Sequence, residues 1–332
     1  MQKRTNYILT FAIALLLLSS CGIYNKYRRP EVKTDSLFGE MSAEIDTTSS
    51  LADLKWHELF TDTLLQKLIT RSLEANTDLN VARLKVEEAQ ASLTSARLAY
   101  LPSVQLDPEG SLSKVKGGQT SKTYTLGGSA SWEIDLFGKL TNAKRSEQAA
   151  LEQSVAYRQA VQTQLIATVA ESYYTLLMLD EQIAITSETV TNWKEYIHSL
   201  RVLMKSGQAD RAAVSQAEAS RLGAEASLLD LKQQMVEMEN TLCSLLAWSS
   251  QHIERSSLDC QRFPQKLSVG IPLELLSRRP DVMQAEAELK QAFYGVNQAK
   301  SNFYPSITLS GSAGWTNTAG AVVYNPGNWL FQ

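Results

Sequence analysis

The stretch between Gly138 and Gly207 most constrains the fold, because its 68 residues contain neither glycine nor proline. These are the two residues that most readily interrupt a helix. Apolar residues recur there at every seventh position, at Val169, Leu176, Ile183, Val190, Ile197 and Met204. A helix of this length spans about 100 Å, more than the interior of a globular domain of this size can hold. The sequence therefore predicts a long helical rod.

A second apolar seam follows Gly207 and predicts a returning helix. Its members are Val214, Ala217, Ala224, Leu228, Leu231, Met235, Met238, Leu242 and Leu245, and only Arg221 interrupts the 3,4 spacing. Together the two patterns predict an antiparallel helical hairpin at about residues 138–247. Its tip consists of Lys205, Ser206, Gly207, Gln208, Ala209 and Asp210.

An internal repeat with an offset of 203 residues organises the rest of the chain. A heptad seam at Leu79, Ala82, Val86, Ala89, Leu93, Ala96 and Tyr100 recurs at Val282, Ala285, Leu289, Ala292, Val296, Ala299 and Phe303. Two unrelated coiled coils could share a seam by chance. Here Pro102-Ser103 also matches Pro305-Ser306, and an alternating segment follows each pair, which indicates duplication. The first copy covers residues 51–260, where residues 51–73 carry a helical apolar pattern. The second copy covers residues 261–332, with a helix at about 280–304.

Beyond each proline the apolar period changes to two, which predicts strands. We expect a β-hairpin at about 103–135, a strand at about 306–316, and the start of a further strand at 328–332. One face is apolar and the other is rich in hydroxyl and acidic side chains. A strand of a soluble sandwich shows the same alternation. In an exported protein, however, it fits a transmembrane barrel, with Trp132 and Trp315 as membrane-interface aromatics.

The N-terminus has the features of an export signal. Lys3-Arg4 precedes an apolar run, and small residues lead to Cys21, so residues 1–20 are predicted to be a lipoprotein signal peptide and Cys21 to be lipidated. The alternative is an ordinary secretory signal with a chance cysteine. Gly22 favours the outer membrane. Residues 21–50 are predicted to be a lipidated tether.

Charge and side-chain chemistry exclude several classes of function. A formal net charge of −3 argues against a nucleic-acid partner. The three histidines match no metal spacing, and no catalytic or cofactor motif is present, so we expect no enzyme. Export permits a disulfide between Cys243 and Cys260, although Cys243 lies on an apolar helical stripe.

The combined motifs resemble the TolC/OprM-like outer-membrane efflux family, specifically its lipoprotein branch. The motifs are Cys21 with Tyr27-Arg28-Arg29-Pro30, Trp56 with Leu59-Phe60, Gly207-Gln208-Ala209-Asp210 with Gln216-Ala217-Glu218, Gly270-Ile271-Pro272, and Leu275-Leu276-Ser277-Arg278-Arg279-Pro280-Asp281-Val282 with Ala285-Glu286. The resemblance covers the chain after the signal. It implies a mainly α protein with β-strands, in which antiparallel coiled-coil helices form a periplasmic α-barrel.

The resemblance also implies an assembly and a route of transport. Each protomer of a homotrimer would give four strands to a twelve-stranded β-barrel. The duct would passively export small molecules delivered by an inner-membrane pump of the resistance–nodulation–division class through a periplasmic adaptor. The adaptor would contact residues 205–210, which could otherwise be a solvated turn. By the repeat offset, the counterpart of Gly207 would lie at about position 410, whereas the sequence ends at Gln332. We therefore expect an incomplete second copy, a truncated chain, and no closed pore from it alone.

Two other functions remain open within these patterns. A type I secretion duct would share the architecture and differ in its pump. A periplasmic coiled-coil scaffold lipoprotein without a pore would use the same lipid and helices but has no need of the alternating strands.

Overall fold

The computed structural model describes Tyr24 and residues 26–30, 55–114, 116–117, 120–262, 278–317 and 328–332. The helices are α1 (Trp56–Leu59), α2 (Thr63–Ala75), α3 (Thr77–Leu98), α4 (Lys139–Lys205), α5 (Arg211–Leu245) and α6 (Pro280–Ser301). The strands are β1 (Ser103–Lys114), β2 (Thr120–Ile134), β3 (Ile307–Asn317) and β4 (Asn328–Phe331). In this described part of the chain, no helix is both long and apolar enough to cross a membrane.

The predicted rod is α4, a single helix of 67 residues, and the predicted return helix is α5. The apolar pattern of residues 51–73 is helical where it is described, and it is divided between α1 (Trp56–Leu59) and α2 (Thr63–Ala75). The break lies at Asp62, whose side chain accepts a hydrogen bond from the Leu64 N–H and caps α2. Residues 51–54 lie outside the described residues.

The four strands form one antiparallel sheet in the order β1-β2-β3-β4. The predicted hairpin at about 103–135 is formed by β1 and β2. Gly128 of β2 lies opposite Leu106 of β1 on one side and Ala313 of β3 on the other. Since β3 follows α6, the sheet joins strands from both copies of the repeat.

The chain divides into two compact units. The strand unit contains the sheet, residues 86–155 and 283–301, and the described N-terminal residues. The helical unit contains the described residues of 55–85 and 156–282. Its core consists mainly of leucine and other large side chains from α2, the start of α3, α4, α5 and the chain after α5. The fully buried members are Leu65, Ile69, Leu79, Val169, Tyr173, Leu176, Leu177, Leu242, Leu246 and Ile253.

Candidate functional site

The sheet separates apolar side chains from polar ones. Residues directly opposite on neighbouring strands point to the same face, so the register assigns each residue to a side. One face carries Val104, Leu106, Pro108, Leu112, Tyr124, Leu126, Ala130, Trp132, Ile134, Ile307, Leu309, Ala313 and Trp315, with the polar residues Lys114, Thr120 and Lys122 at the end near the β1–β2 loop. The other carries Ser103, Gln105, Asp107, Glu109, Ser111, Ser113, Thr123, Thr125, Ser129, Ser131, Glu133, Thr308, Ser310, Ser312 and Thr316.

The apolar face is open within the protomer. Leu106 of β1, which lies between the levels of Trp132 and Trp315, is 73% exposed, and Leu309 on β3 is 64% exposed. A contiguous apolar surface of this kind marks an interaction site rather than an ordinary solvated surface. The sheet can therefore separate an apolar phase from water.

The two tryptophans nominated from the sequence lie on the apolar face at separate levels. Trp132 lies opposite Leu309, whereas Trp315 lies opposite Leu126. The two levels are six residues apart along β2, from Leu126 to Trp132, which corresponds to about 20 Å. The indole N–H of Trp132 donates to the Tyr100 carbonyl at 2.9 Å, so its polar edge is satisfied at the helix side of the sheet. Their role as interface aromatics stays a prediction.

A polar network fixes the junction between β2 and α4. Asp135 accepts hydrogen bonds from the N–H groups of Leu140 and Thr141, at 3.1 and 2.8 Å, and from the Thr141 hydroxyl at 2.7 Å. The Tyr100 hydroxyl donates to Thr141 Oγ1 at 3.0 Å. Gly138 has a φ of +71°, a backbone conformation that favours glycine. Sequence reasoning missed this network, although an aspartate just before a helix is a recognisable capping signal.

The hairpin tip is the turn between α4 and α5. The Gln208 N–H donates to the Leu203 carbonyl at 2.9 Å, and the Gly207 N–H donates to the Met204 carbonyl at 3.1 Å. With the φ of +78° at Gly207, these bonds form a Schellman motif that ends α4. Asp210 then caps α5 by accepting from the Ala213 N–H at 2.7 Å. The turn is held by its own hydrogen bonds.

Of the six nominated tip residues, five are exposed and Ala209 is half-buried. Behind them Ile197, Leu200, Val214 and Ala217 form a small buried cluster. The exposed turn is therefore supported by a buried apolar cluster between α4 and α5. Its contact with another protein stays a prediction.

Two polar nodes hold the helical unit together. Asp62 Oδ2 accepts from the hydroxyls of Tyr173, at 2.6 Å, and Ser256, and from Gln261 Nε2 at 2.9 Å. Burial alone would raise the pKa of Asp62, but the hydrogen bonds from Ser256, Tyr173, Gln261 and the Leu64 N–H outweigh it and lower the pKa to about 2.

The second node is the guanidinium of Arg255, whose side chain is 6% exposed. It donates to Asp180 Oδ1 at 2.7 Å and to Glu239 Oε1 at 2.5 Å. Hydrogen bonding to Asp180 raises the pKa of Arg255, against the effect of burial, and Glu239 adds to the rise. Through Tyr173 with Ser256 and through Asp180 with Arg255, these two networks attach the chain after α5 to α4. Sequence reasoning missed both.

The cysteines occupy different environments. Cys21, the predicted lipidation site, lies outside the described residues. Cys243 is buried and Cys260 is exposed, and both are free thiols. The disulfide that export would permit is therefore not formed in this structure.

Comparison with protein families gives a match to the outer membrane efflux protein model over residues 68–247 and 271–327. These segments include α3, the rod with its return helix, α6, and the sheet up to β3.

Individual proteins show the same similarity. The probable efflux pump outer membrane protein TtgC of Pseudomonas putida is 28% identical, over 99% of this chain and 71% of its own length. The cation efflux system protein CusC of Escherichia coli strain K12 is 26% identical, over 98% of this chain and 72% of its own. The open state of the MtrE outer membrane channel of Neisseria gonorrhoeae superposes with a TM-score of 0.78, at 31% identity, over 93% of this chain and 70% of that one.

Proposed function

The chain belongs to the outer membrane efflux protein family, and we propose that it is the outer-membrane component of an efflux pump, which provides a passive exit duct driven by an inner-membrane transporter. Small molecules pass through the duct without chemical change. The cargo is proposed only as small molecules because the relatives differ: the name of TtgC states efflux without a cargo, whereas that of CusC states cation efflux.

The two-faced sheet is the observation that carries this proposal. Its exposed apolar face suits lipid, and its hydroxyl-rich and acidic face suits a water-filled lumen. A strand with one apolar and one polar face needs both environments at once. A scaffold surrounded by water supplies only the polar environment.

The open edges of the sheet support a shared assembly. Within the described residues, β1 and β4 each pair on one side only. In a bilayer, unpaired backbone groups are costly, so the sheet must close through neighbouring chains. A homotrimer in which each protomer supplies four strands meets this requirement.

The hairpin tip is proposed as the contact with the periplasmic adaptor of the pump. Exposed groups at residues 205–208 stand on a turn held by its own hydrogen bonds, which suits repeated docking without refolding. Cys21 is proposed to carry the lipid that anchors the chain to the outer membrane. Protein secretion through a type I exporter is the second candidate, because a wide passive lumen serves either cargo.

Adjacent residues of β1 provide a matched test. Leu106 lies on the apolar face, whereas Gln105 lies on the polar face opposite Ser129. An arginine facing lipid near mid-bilayer costs about 2–4 kcal/mol, whereas one facing the lumen does not. We expect Leu106→Arg to reduce detergent-resistant oligomers in outer-membrane fractions, and Gln105→Arg to retain them.

Cargo is tested separately by accumulation of a fluorescent dye in cells lacking the native gene. Leu106→Arg should raise accumulation toward the level of the deletion, and Gln105→Arg should stay near wild type. Equal assembly of the two variants would refute the lipid-facing assignment and favour the scaffold. Normal oligomers with no effect on dye, but with loss of a secreted protein, would favour type I secretion.

A further inference from the structure

A short N-terminal segment packs along α6 in the strand unit. We name this segment, Tyr24 with residues 26–30, the N-terminal strap. The Tyr27 ring meets Phe293 of α6 edge to face, with ring centroids 5.6 Å apart and planes at 73°. Two residues further on, the Arg29 guanidinium forms an ion pair with Glu286 of α6. The strap therefore contacts α6 at sites about two turns apart.

The ion pair extends into a chain of charges that reaches α4. Lys290 lies 3.9 Å from Glu286 and 3.1 Å from Glu152 of α4. Its ammonium also lies 5.9 Å from the centre of the Tyr27 ring, within reach of a cation–π interaction. Hydrogen bonding from Arg29 lowers the pKa of Glu286, against the effect of burial. Arg29 is thus the outer member of a series of alternating charges across two helices.

The other end of the strap, Tyr24, lies at the junction between the sheet and α4. A Cβ atom placed on Gly138 would come within 3.3 Å of the Tyr24 ring, so the ring packs closely on the turn that joins β2 to α4. The strap thus touches the turn that leads from β2 into α4 and the helix that precedes β3. These are the neighbouring strands at the centre of the sheet.

We propose that the strap is a positioning device that fixes α6 against α4 and so sets the approach of β3 to β2 during assembly. The inference rests on the proposed function, since assembly means the outer-membrane oligomer. It assigns the segment a role in addition to tethering a lipid. A mere linker would tolerate loss of its contacts as long as Cys21 remained.

Trypsin provides a direct measure of strap docking in outer-membrane vesicles that contain the full chain and are opened by freeze–thawing, so that the protease reaches their periplasmic side. Lys26 and Arg28 are its cleavage sites within the strap, while Pro30 blocks cleavage after Arg29. Mass spectrometry of the body reports the new N-terminus at Tyr27, because the Lys26–Tyr27 bond is unchanged in every variant. Detergent-resistant oligomers are quantified in the same vesicles.

Charge reversal at either end of the ion pair should release the strap. We expect Arg29→Glu and Glu286→Arg each to accelerate cleavage about five- to tenfold and to reduce the oligomer. The double variant should return both readouts to within about threefold of wild type, because the attraction is restored. Glu288→Arg makes the same charge change at an exposed position of α6 and should have little effect.

The outcomes separate this inference from the proposed function. If the wild-type chain forms no outer-membrane oligomer, the proposed function fails. If the oligomer forms and both single reversals cleave and assemble like Glu288→Arg, the strap is only a linker. If cleavage accelerates while the oligomer is unchanged, the strap docks but does not position the strands, which also overturns the inference.

Discussion

Asp62→Asn tests whether a single carboxylate holds the chain after α5 onto the helical unit. The substitution keeps the size of the side chain and removes its charge. In the native chain three side chains converge on one oxygen of Asp62, from Tyr173, Ser256 and Gln261. The other oxygen caps α2 through the Leu64 N–H at 2.8 Å. An amide supplies only one acceptor oxygen, so these bonds cannot all persist.

The lowered pKa provides the magnitude. A pKa of about 2, against the ordinary 3.8, corresponds to at most about 2.5 kcal/mol of preference for the charged form. Because Asp62 is half-buried, solvent screening reduces this to about 1–2 kcal/mol. We therefore expect the segment at 253–262 to open about 5 to 30 times more often in Asp62→Asn.

Hydrogen–deuterium exchange of residues 253–262 in detergent-solubilised protein measures this opening. Asp259→Asn is the matched control, because Asp259 is an exposed carboxylate in the same segment. It should exchange like wild type. Exchange in Asp62→Asn no faster than in Asp259→Asn would show that the hydrogen bonds to Asp62 do not hold this segment.

Three further predictions concern pH, the hairpin tip and the thiols. Since the folded pKa of Asp62 is depressed, its stabilisation is complete above pH 3.8 and is lost as pH falls toward 2, so urea midpoints of wild type and Asp62→Asn should differ at pH 6 and converge near pH 2. Gly207→Ala should lower the stability of the hairpin by about 1 kcal/mol, because its φ is +78° and a Cβ there meets nothing within 4 Å. Gly223→Ala, within α5, should instead raise stability by up to about 1 kcal/mol. Hydrogen–deuterium exchange of the hairpin amides compares the two variants. Exposed Cys260 should react with a maleimide in the folded protein and buried Cys243 only after denaturation, and equal labelling of both would contradict their assigned burial.

The ends of the rod were predictable from the two glycines that bound it. In the structure both adopt positive φ, +71° at Gly138 and +78° at Gly207, which favours the end of a helix. Glycine alone is not sufficient as a stop signal. Gly223 and Gly295 lie inside α5 and α6, where each costs only about 1 kcal/mol, which the packing of a long helix offsets. A glycine followed by a capping residue such as Asp210 is therefore more informative than a glycine by itself.

The two copies of the heptad seam show what periodicity cannot predict. Leu79 and Leu93 of the first copy are buried, whereas their counterparts Val282 and Val296 are exposed. The same spacing produces a helix in both copies, because helix formation depends on local pattern. Burial depends on which element packs against the seam, and that is not encoded in the seam.

Long-range polar contacts were the least predictable part of the candidate site. Tyr173 and Ser256 approach Asp62 across 111 and 194 residues, so no local motif relates them. The cap of α2 by the same aspartate is local and could have been predicted from Asp62-Thr63. The apolar pattern of residues 51–73 did not mark this cap, which separates α1 from α2.

The alternation along the strands left a choice between a sandwich and a lipid-facing sheet, and the exposure of the apolar face argues against the sandwich. A sandwich would bury the apolar face against a second sheet about 10 Å away. Instead Leu106 is 73% exposed, and the described strands form a single sheet. Water is a poor environment for that face, so it must meet lipid or another chain. Trp132 and Trp315 lie about 20 Å apart on the face, comparable to the ~25 Å apolar band of outer-membrane sheets, and this spacing favours lipid.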